Sequence, residues 1–203
     1  QLALKLEYLE KKFYQLGQAA MVATALPSTN KAVFDQIYAH EVDHVTFLAT
    51  ALGAAAPEEP TFDFTVGGTY SPFTDYPTFL AMAQAFEDTG VRAYKGQAGN
   101  LMADNDLLTA ALQIHSVEAR HASEVRRIRL EKGWITGSAT TIPAAFSAVY
   151  GGAITEANQI QGGVDLATIS PSVSINAKTE AFDEPLSTSE VVAIFGLFCT
   201  AKC

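Results

Sequence analysis

Two copies of one helix-compatible pattern dominate this 203-residue sequence. Each copy has a glutamate seven residues before a tyrosine, and further along the chain the motif Glu-x-x-His. The first copy comprises Glu7, Tyr14, Glu41 and His44, and the second comprises Glu87, Tyr94, Glu118 and His121. Residues three or seven apart lie on nearly the same face of an α-helix, so all eight side chains can face one core. The repeat predicts four helices that direct polar groups inward.

The order Glu, Glu-x-x-His, Glu, Glu-x-x-His is typical of a four-helix bundle that holds two metal ions. We therefore predict that the metal ligands are Glu7, Glu41, His44, Glu87, Glu118 and His121. By the symmetry of the repeat, Glu41 and Glu118 are expected to bridge the ions, and Glu7 and Glu87 to be terminal ligands. Glu10, one turn beyond Glu7, is the main rival for the first position.

The donor set predicts the chemistry of the metals. Four carboxylates carry four negative charges, which two divalent cations would cancel, and a site without thiolates disfavours copper(I) and iron–sulfur clusters. Oxygen and nitrogen donors suit iron and manganese equally. Two adjacent redox-active ions would react with dioxygen or hydrogen peroxide, which are therefore the expected small-molecule partners.

Tyr14 and Tyr94 recur at the same distance from their glutamates, which leaves two interpretations open. Each tyrosine could hydrogen-bond a terminal carboxylate, including that of the opposite helix, and so orient the ligand. Each could equally be a packed core residue, which is the usual role of tyrosine on an apolar helix face.

Apolar periodicity predicts the four helices at residues 2–26, 30–53, 76–97 and 104–132, the last followed by Gly133. Between the second and third lies a long connection, residues 54–75, with an extended stretch at 61–66. Such a crossover lets the third helix run parallel to the second, giving an all-α, up-down-down-up bundle. We predict one domain over residues 1–133.

We predict that residues 134–203 form an extension that packs on the bundle. It is rich in small residues and ends in a short helix, for which Ser187 and Glu190 form a capping box. Its two cysteines, Cys199 and Cys203, are expected either to form a terminal disulfide or to remain two thiols. The chain opens at Gln1 inside an amphipathic pattern, which leaves open a removed export signal.

Charge and hydropathy exclude several classes of partner. The formal charge of −9 and pI near 4.8 oppose binding to nucleic acid, which requires clustered Lys and Arg. No apolar run approaches the roughly 20 residues that cross a bilayer, so no transmembrane segment is predicted.

The paired Glu and Glu-x-x-His elements resemble the ferritin-like superfamily, which includes bacterioferritins, rubrerythrins and manganese catalases. The stretches Leu6-Glu7-Tyr8-Leu9-Glu10, Phe13-Tyr14 and Glu184-Pro185-Leu186-Ser187 through Phe195 are similar to the branch that contains desiccation-related proteins. This resemblance implies a bundle with a long carboxy-terminal extension, export to the periplasm or the exterior, and a role in stress protection. A homo-oligomer is compatible with it, but a storage cage is not implied.

Two alternatives remain. The stretch His40-Glu41-Val42-Asp43-His44 matches the H-E-x-x-H signature of zinc proteases, with His40 and His44 as ligands and Glu41 as base. This interpretation leaves the second copy of the repeat unexplained. The other alternative is a non-catalytic protective protein in which the metal pair only stabilises the fold.

Overall fold

A computed structural model describes residues 1–138 and 140–203 and contains four long α-helices. Their bounds are α1 Leu2–Val22, α2 Lys31–Leu52, α3 Tyr76–Ala98 and α4 Asn105–Ile128. With the short elements that follow, the chain is mostly helical. The prediction of an all-α fold with a carboxy-terminal extension is confirmed.

Shorter elements lie in the connections between the long helices and in the extension. The helices are α5 Leu166–Ile169, α6 Ile175–Thr179 and α7 Thr188–Phe195, with 3₁₀ turns at Gly53–Ala55, Gly99–Leu101 and Ala144–Tyr150. The strands are β1 Thr61–Phe62, β2 Ile160–Gln161, β3 Val164–Asp165 and β4 Cys199–Ala201, paired antiparallel as β1 with β4 and β2 with β3. The extended stretch expected at 61–66 is therefore limited to two residues.

Local capping explains where most helices begin. The carboxylate of Asp104 accepts hydrogen bonds from the backbone N–H groups of Asp106 and Leu107, at 3.1 and 3.0 Å. The predicted capping box at the start of α7 is present, because Ser187 N donates to Glu190 Oε2 at 2.7 Å and Glu190 N donates to Ser187 Oγ at 3.4 Å.

Two helices end earlier than the sequence predicts. Helix α4 stops at Ile128, because Leu130 takes a left-handed conformation with φ +62° and Glu131 N donates to Arg126 O at 2.9 Å. Helix α1 ends in the same way at Thr24, with φ +59°. This is the Schellman arrangement, in which glycine is the usual residue. The expectation that Gly133 ends the fourth helix was wrong.

The chain divides into two compact units, residues 1–87 with 192–203, and residues 88–191. The predicted domain boundary after residue 133 stays a prediction. Among residues 1–138 and 140–203, no helix combines the length and apolar character needed to cross a membrane.

The first unit has an aromatic core around Phe13. The centroid of the Phe13 ring lies 4.9 Å from that of Phe79 and 5.0 Å from that of Phe86. The Phe86 ring in turn meets Phe198 edge-on at 4.8 Å. A Cβ atom at Gly17 would lie 2.4 Å from the Phe79 ring, so only glycine lets this ring approach α1 so closely.

The end of the chain is fastened to the same unit. Thr61 of β1 pairs with Ala201 of β4, and Lys202 Nζ forms an ion pair with Glu58 at 2.6 Å. Cys199 and Cys203 are joined by a disulfide bond, which decides between the two states that the sequence left open.

The second unit is organised around Arg92, which is completely buried. Its Nε donates to Glu184 O at 2.8 Å and lies 2.8 Å from Glu156 Oε1, and its Nη2 donates to Gly151 O at 3.1 Å. The backbone carbonyl of Arg92 accepts a hydrogen bond from Leu186 N at 3.1 Å. One guanidinium therefore satisfies backbone groups that are distant along the extension.

Candidate metal centre

The six predicted ligands occupy buried positions on the four long helices. Helix α1 carries Glu7, α2 carries Glu41 and His44, α3 carries Glu87, and α4 carries Glu118 and His121. All four carboxylates are fully buried, His121 is 5% exposed, and the side chain of His44 is 11% exposed. Four carboxylates that are buried this completely require compensating positive charge or protons.

In the first unit, His44 contacts two of the predicted carboxylate ligands. Its Nδ1 lies 3.0 Å from Glu7 Oε2 and 3.1 Å from Glu41 Oε2. Glu41 and His44 are three residues apart on α2, so one helix turn presents both to Glu7 on α1. This spacing is what the first Glu-x-x-His motif predicted.

Glu87 receives its hydrogen bond from Tyr14, whose hydroxyl donates to Glu87 Oε1. Tyr14 is fully buried, its ring 6.1 Å from that of Phe34 and 6.4 Å from that of Phe79. Burial, and then the neighbouring Glu87 carboxylate, raise the pKa of Tyr14 well above its ordinary value. Tyr14 therefore stays protonated and remains a donor to this carboxylate. Tyr94 is also buried, at 6% exposure.

In the second unit, the second Glu-x-x-His motif has both of its predicted ligands buried on one face of α4. His121 Nδ1 lies 3.9 Å from Glu118 Oε2, a separation that follows from their three-residue spacing.

Within the first unit, ligand atoms of Glu7, Glu41 and His44 all lie within 4.8 Å of one another and form one group. In the same unit, ligand atoms of Glu41 and Glu87 also lie within 4.8 Å. In the second unit, ligand atoms of Glu118 and His121 lie within the same distance and form a second group. Glu41 thus has candidate ligands on both sides, Glu7 with His44 and Glu87.

The rival residues do not join these groups. Within residues 1–138 and 140–203, neither group includes Glu10, although Glu10 is only 2% exposed. His40 is also outside both groups, and its Nε2 lies 2.9 Å from Gln36 Nε2 on the same helix. The zinc-protease interpretation requires His40 and His44 to face one ion, and His44 instead faces Glu7.

The electrostatics of the buried carboxylates suit a cation. Burial raises the pKa of Glu7 to about 8, with a further increase from the charge of Glu41, although the hydrogen bond from His44 opposes the shift. The protein alone therefore favours protonated Glu7 at neutral pH. A divalent ion can replace that proton, so the residues present fit a metal.

A second buried polar cluster, which no sequence motif predicted, begins at the residue after Glu87. Asp88, which follows Glu87, accepts hydrogen bonds from Arg126 Nη2 and from Tyr150 Oη, the latter at 2.6 Å. Arg126 Nη2 also donates to Tyr150 Oη at 3.1 Å. No motif links these three positions, because their contacts span up to 62 residues of the chain.

Comparison with known protein families finds a match over more than half of the chain. The profile described as "Ferritin-like domain" matches residues 1–131, which include all six candidate ligands. Neither a curated protein nor a solved structure matches the chain.

Proposed function

The chain belongs to the ferritin-like domain family, and from this premise we propose that it is a dinuclear metal carboxylate protein. Its ligands are Glu7, Glu41, His44, Glu87, Glu118 and His121. They bind two divalent ions of iron or manganese, which react with dioxygen or hydrogen peroxide in ferroxidase-like or catalase-like chemistry.

The observation that carries the proposal is the buried group of Glu7, Glu41 and His44, in which Glu41 also lies within 4.8 Å of Glu87. A carboxylate has two oxygens, so Glu41 could hold one ion with each. By the symmetry of the repeat, Glu118 would have the same bridging role, and each ion would take one further glutamate and one histidine. Two divalent ions would neutralise the four carboxylates.

The donor set selects iron or manganese over softer metals. Carboxylates and imidazoles suit both, and Cys199 and Cys203 are bonded to each other. Two adjacent redox-active ions would supply electrons that reduce dioxygen, or would take two electrons from one hydrogen peroxide, releasing oxygen, and pass them to a second, giving water.

The residues of the chain orient and protect the centre. Tyr14 donates to Glu87 Oε1 and so orients that carboxylate. The rings of Phe13, Phe34 and Phe79 around Tyr14 exclude water from this side. Glu7 releases its proton when an ion binds, because the cation stabilises the carboxylate that burial disfavours.

The full burial of the four carboxylates also supports a second candidate, a stress-protective protein without turnover. Here the metal pair contributes only binding energy to the fold, by cancelling charges that are costly to bury.

Metal loading with two activity assays tests both candidates. Protein reconstituted anaerobically with iron(II) or manganese(II) is analysed for metal content, oxygen uptake and peroxide consumption. We expect about two ions per chain and turnover with one of the metals. Glu41→Ala and His121→Ala should lose metal and activity, whereas His40→Ala, a matched histidine control, should keep both.

Each result has a separate meaning. Two bound ions without turnover would favour the protective role. A zinc-dependent activity that is lost in His40→Ala but kept in His121→Ala would overturn the dinuclear centre. Failure of the wild-type protein to bind more than one ion would do the same.

A further inference from the structure

The unit of residues 88–191 contains a cavity of about 460 Å³. Helices α3 and α4 contribute part of its lining, and the segments 133–135 and 180–183 contribute the rest. Small-molecule sites in proteins typically have volumes of roughly 300–1,000 Å³. The cavity is therefore large enough for an organic ligand.

Much of the lining is apolar. Ala119 and Ala122 on α4 have short side chains that leave room, and Ile135 adds an aliphatic surface. Trp134 and Phe182 also line the cavity, and they are 48% and 42% exposed. Aromatic surface that is half open to solvent offers stacking contacts to an entering ring.

The acidic groups of the lining already have cationic partners. These pairs are Asp88 with Arg126, Asp183 with Lys95 at 3.2 Å, and Glu180 with Lys132 at 2.6 Å. A cationic ligand would have to compete with these partners. One acceptor is left over, because Asp183 Oδ1 is buried and makes no hydrogen bond within the described part of the chain, so a neutral donor could meet it.

Hydrogen-bond donors remain on α4. Arg126 is 6% exposed, and its Nη2 donates to Asp88 and Tyr150. Its Nη1 lies 3.8 Å from Glu131, beyond hydrogen-bonding distance, and within the described part of the chain no hydrogen bond engages its Nε. The hydroxyl of Ser123, one turn earlier on the helix, is likewise not engaged among the described residues. A buried guanidinium with N–H groups to offer favours an oxygen acceptor.

From this combination we infer that the cavity binds a small aromatic compound with a neutral polar end that both accepts and donates hydrogen bonds, such as a carboxamide. The ring packs against Trp134 and Phe182, the acceptor oxygen meets Ser123 and Arg126, and the N–H group meets Asp183. This site is independent of the proposed metal chemistry, so either can fail without the other.

Three probes with one apolar body test the inference: 3-phenylpropionate, 3-phenylpropanamide and 3-phenylpropylamine. Trp134 is the only tryptophan of the chain, so its fluorescence reports directly on the cavity. For ligands of this size we expect a dissociation constant of ~0.1–1 mM for the amide. The acid should bind at least about tenfold more weakly, because it brings another carboxylate to Asp183. The amine should do the same, because it offers no acceptor to Ser123 and Arg126.

Variants of the full-length chain locate the binding. Ser123→Ala should weaken binding of the amide roughly 2- to 10-fold, the effect of one hydrogen bond. Ser116→Ala removes a hydroxyl elsewhere on α4, where Ser116 Oγ donates to Gln113 O at 2.8 Å, and should leave the affinity for the amide unchanged. Ala119→Leu places a larger side chain in the cavity from an exposed helix position and should abolish the fluorescence response. Circular dichroism checks that each variant is folded. Isothermal titration calorimetry checks that the fluorescence change is accompanied by a heat of binding.

The inference is overturned if the acid or the amine binds as well as the amide. It is also overturned if the amide does not bind at a concentration tenfold above the expected ~1 mM. Equal affinities of wild type, Ser123→Ala and Ala119→Leu would also overturn it, because binding would then lie elsewhere.

Discussion

Glu156 shows how burial sets the protonation of single carboxyl groups in this chain. It is 2% exposed, pairs with Arg92 at 2.8 Å and accepts a hydrogen bond from Glu184 N at 3.1 Å. Burial, and then the charge of Asp183, nevertheless raise its pKa from 4.5 to about 7. The attraction to Arg92 is therefore weaker than the cost of removing the carboxylate from water.

This shift makes the stability of the protein depend on pH. A carboxyl group whose pKa is raised on folding contributes stability that is present below pH 4.5 and is lost as the pH rises through about 7. Glu156→Gln should therefore gain stability relative to wild type between pH 4.5 and 8, by roughly 1–3 kcal/mol. Urea unfolding of both proteins across this pH range measures the difference.

Glu190 provides a control, because its pKa is shifted in the opposite direction. Its hydrogen bonds from Ser187 lower its pKa below 4.5, so its contribution is present above that pH and is lost on acidification. Glu190→Gln should therefore be least stable relative to wild type at neutral pH. If Glu156→Gln behaved in the same way, the ion pair with Arg92 would outweigh burial.

At the scale of elements, α1 and α4 end in the usual left-handed conformation, but the residues that adopt it are Thr24 and Leu130 and not glycine. Leu130 is 94% exposed and has φ +62°, a conformation that costs an L-residue with a side chain roughly 1–2 kcal/mol. Leu130→Gly should raise the free energy of unfolding by ~0.5–1 kcal/mol, after the greater freedom of glycine in the unfolded chain is subtracted.

The same substitution inside α4 should have the opposite effect. Leu112 is 49% exposed within the helix, and Leu112→Gly should lower the free energy of unfolding by about 1 kcal/mol. Thermal and urea unfolding of the two variants compare the effects directly. Destabilisation by Leu130→Gly would show that the leucine makes contacts that offset its backbone conformation.

At position 17 of α1, glycine should stabilise the fold more than alanine, contrary to the usual preference for alanine in helices. Gly17→Ala should gain up to about 1 kcal/mol from helix propensity but lose roughly 1–3 kcal/mol from the collision with the Phe79 ring, 2.4 Å from the new Cβ. We expect net destabilisation in urea unfolding. At Gly99 a Cβ would meet no atom within 4 Å, so Gly99→Ala should be neutral or mildly stabilising. Equal effects at both sites would mean that the Phe79 ring shifts freely.

At the scale of the whole molecule, the proposed metal pair links the four long helices to the stability of the fold. A metal that binds only the folded chain raises stability by about 2.7 kcal/mol at a free concentration 100-fold above its dissociation constant. Manganese(II) should therefore raise the Tm, and excess EDTA should lower it. Scanning calorimetry with His40→Ala and His121→Ala tests this, since only His121→Ala should lose the response.

The metal effect should also depend on pH. Because the pKa of Glu7 is raised to about 8, its proton competes with the metal below that pH. The Tm increase produced by manganese should therefore grow from pH 6 to pH 8. An increase that is equal at the two pH values would show that metal binding displaces no proton from Glu7.

The sequence itself determined the four long helices, the capping box of α7 and the candidate ligands. These features depend on spacings of three to seven residues, which helix geometry converts directly into position, as at the Ser187 and Glu190 box and in both Glu-x-x-His motifs. The same local rules failed at Gly133, because the left-handed residue that ends α4 is Leu130, which has no glycine signal.

Only the tertiary structure decided which of the neighbouring candidates join the ligand groups, so that Glu7 is included and Glu10 and His40 are not. It also decided the contacts of Arg92, the cluster of Asp88, Arg126 and Tyr150, and the cavity beside Trp134. These arrangements bring together side chains that are distant along the chain. Their partners are selected by packing and by the need to satisfy buried charges, and no local spacing encodes either one.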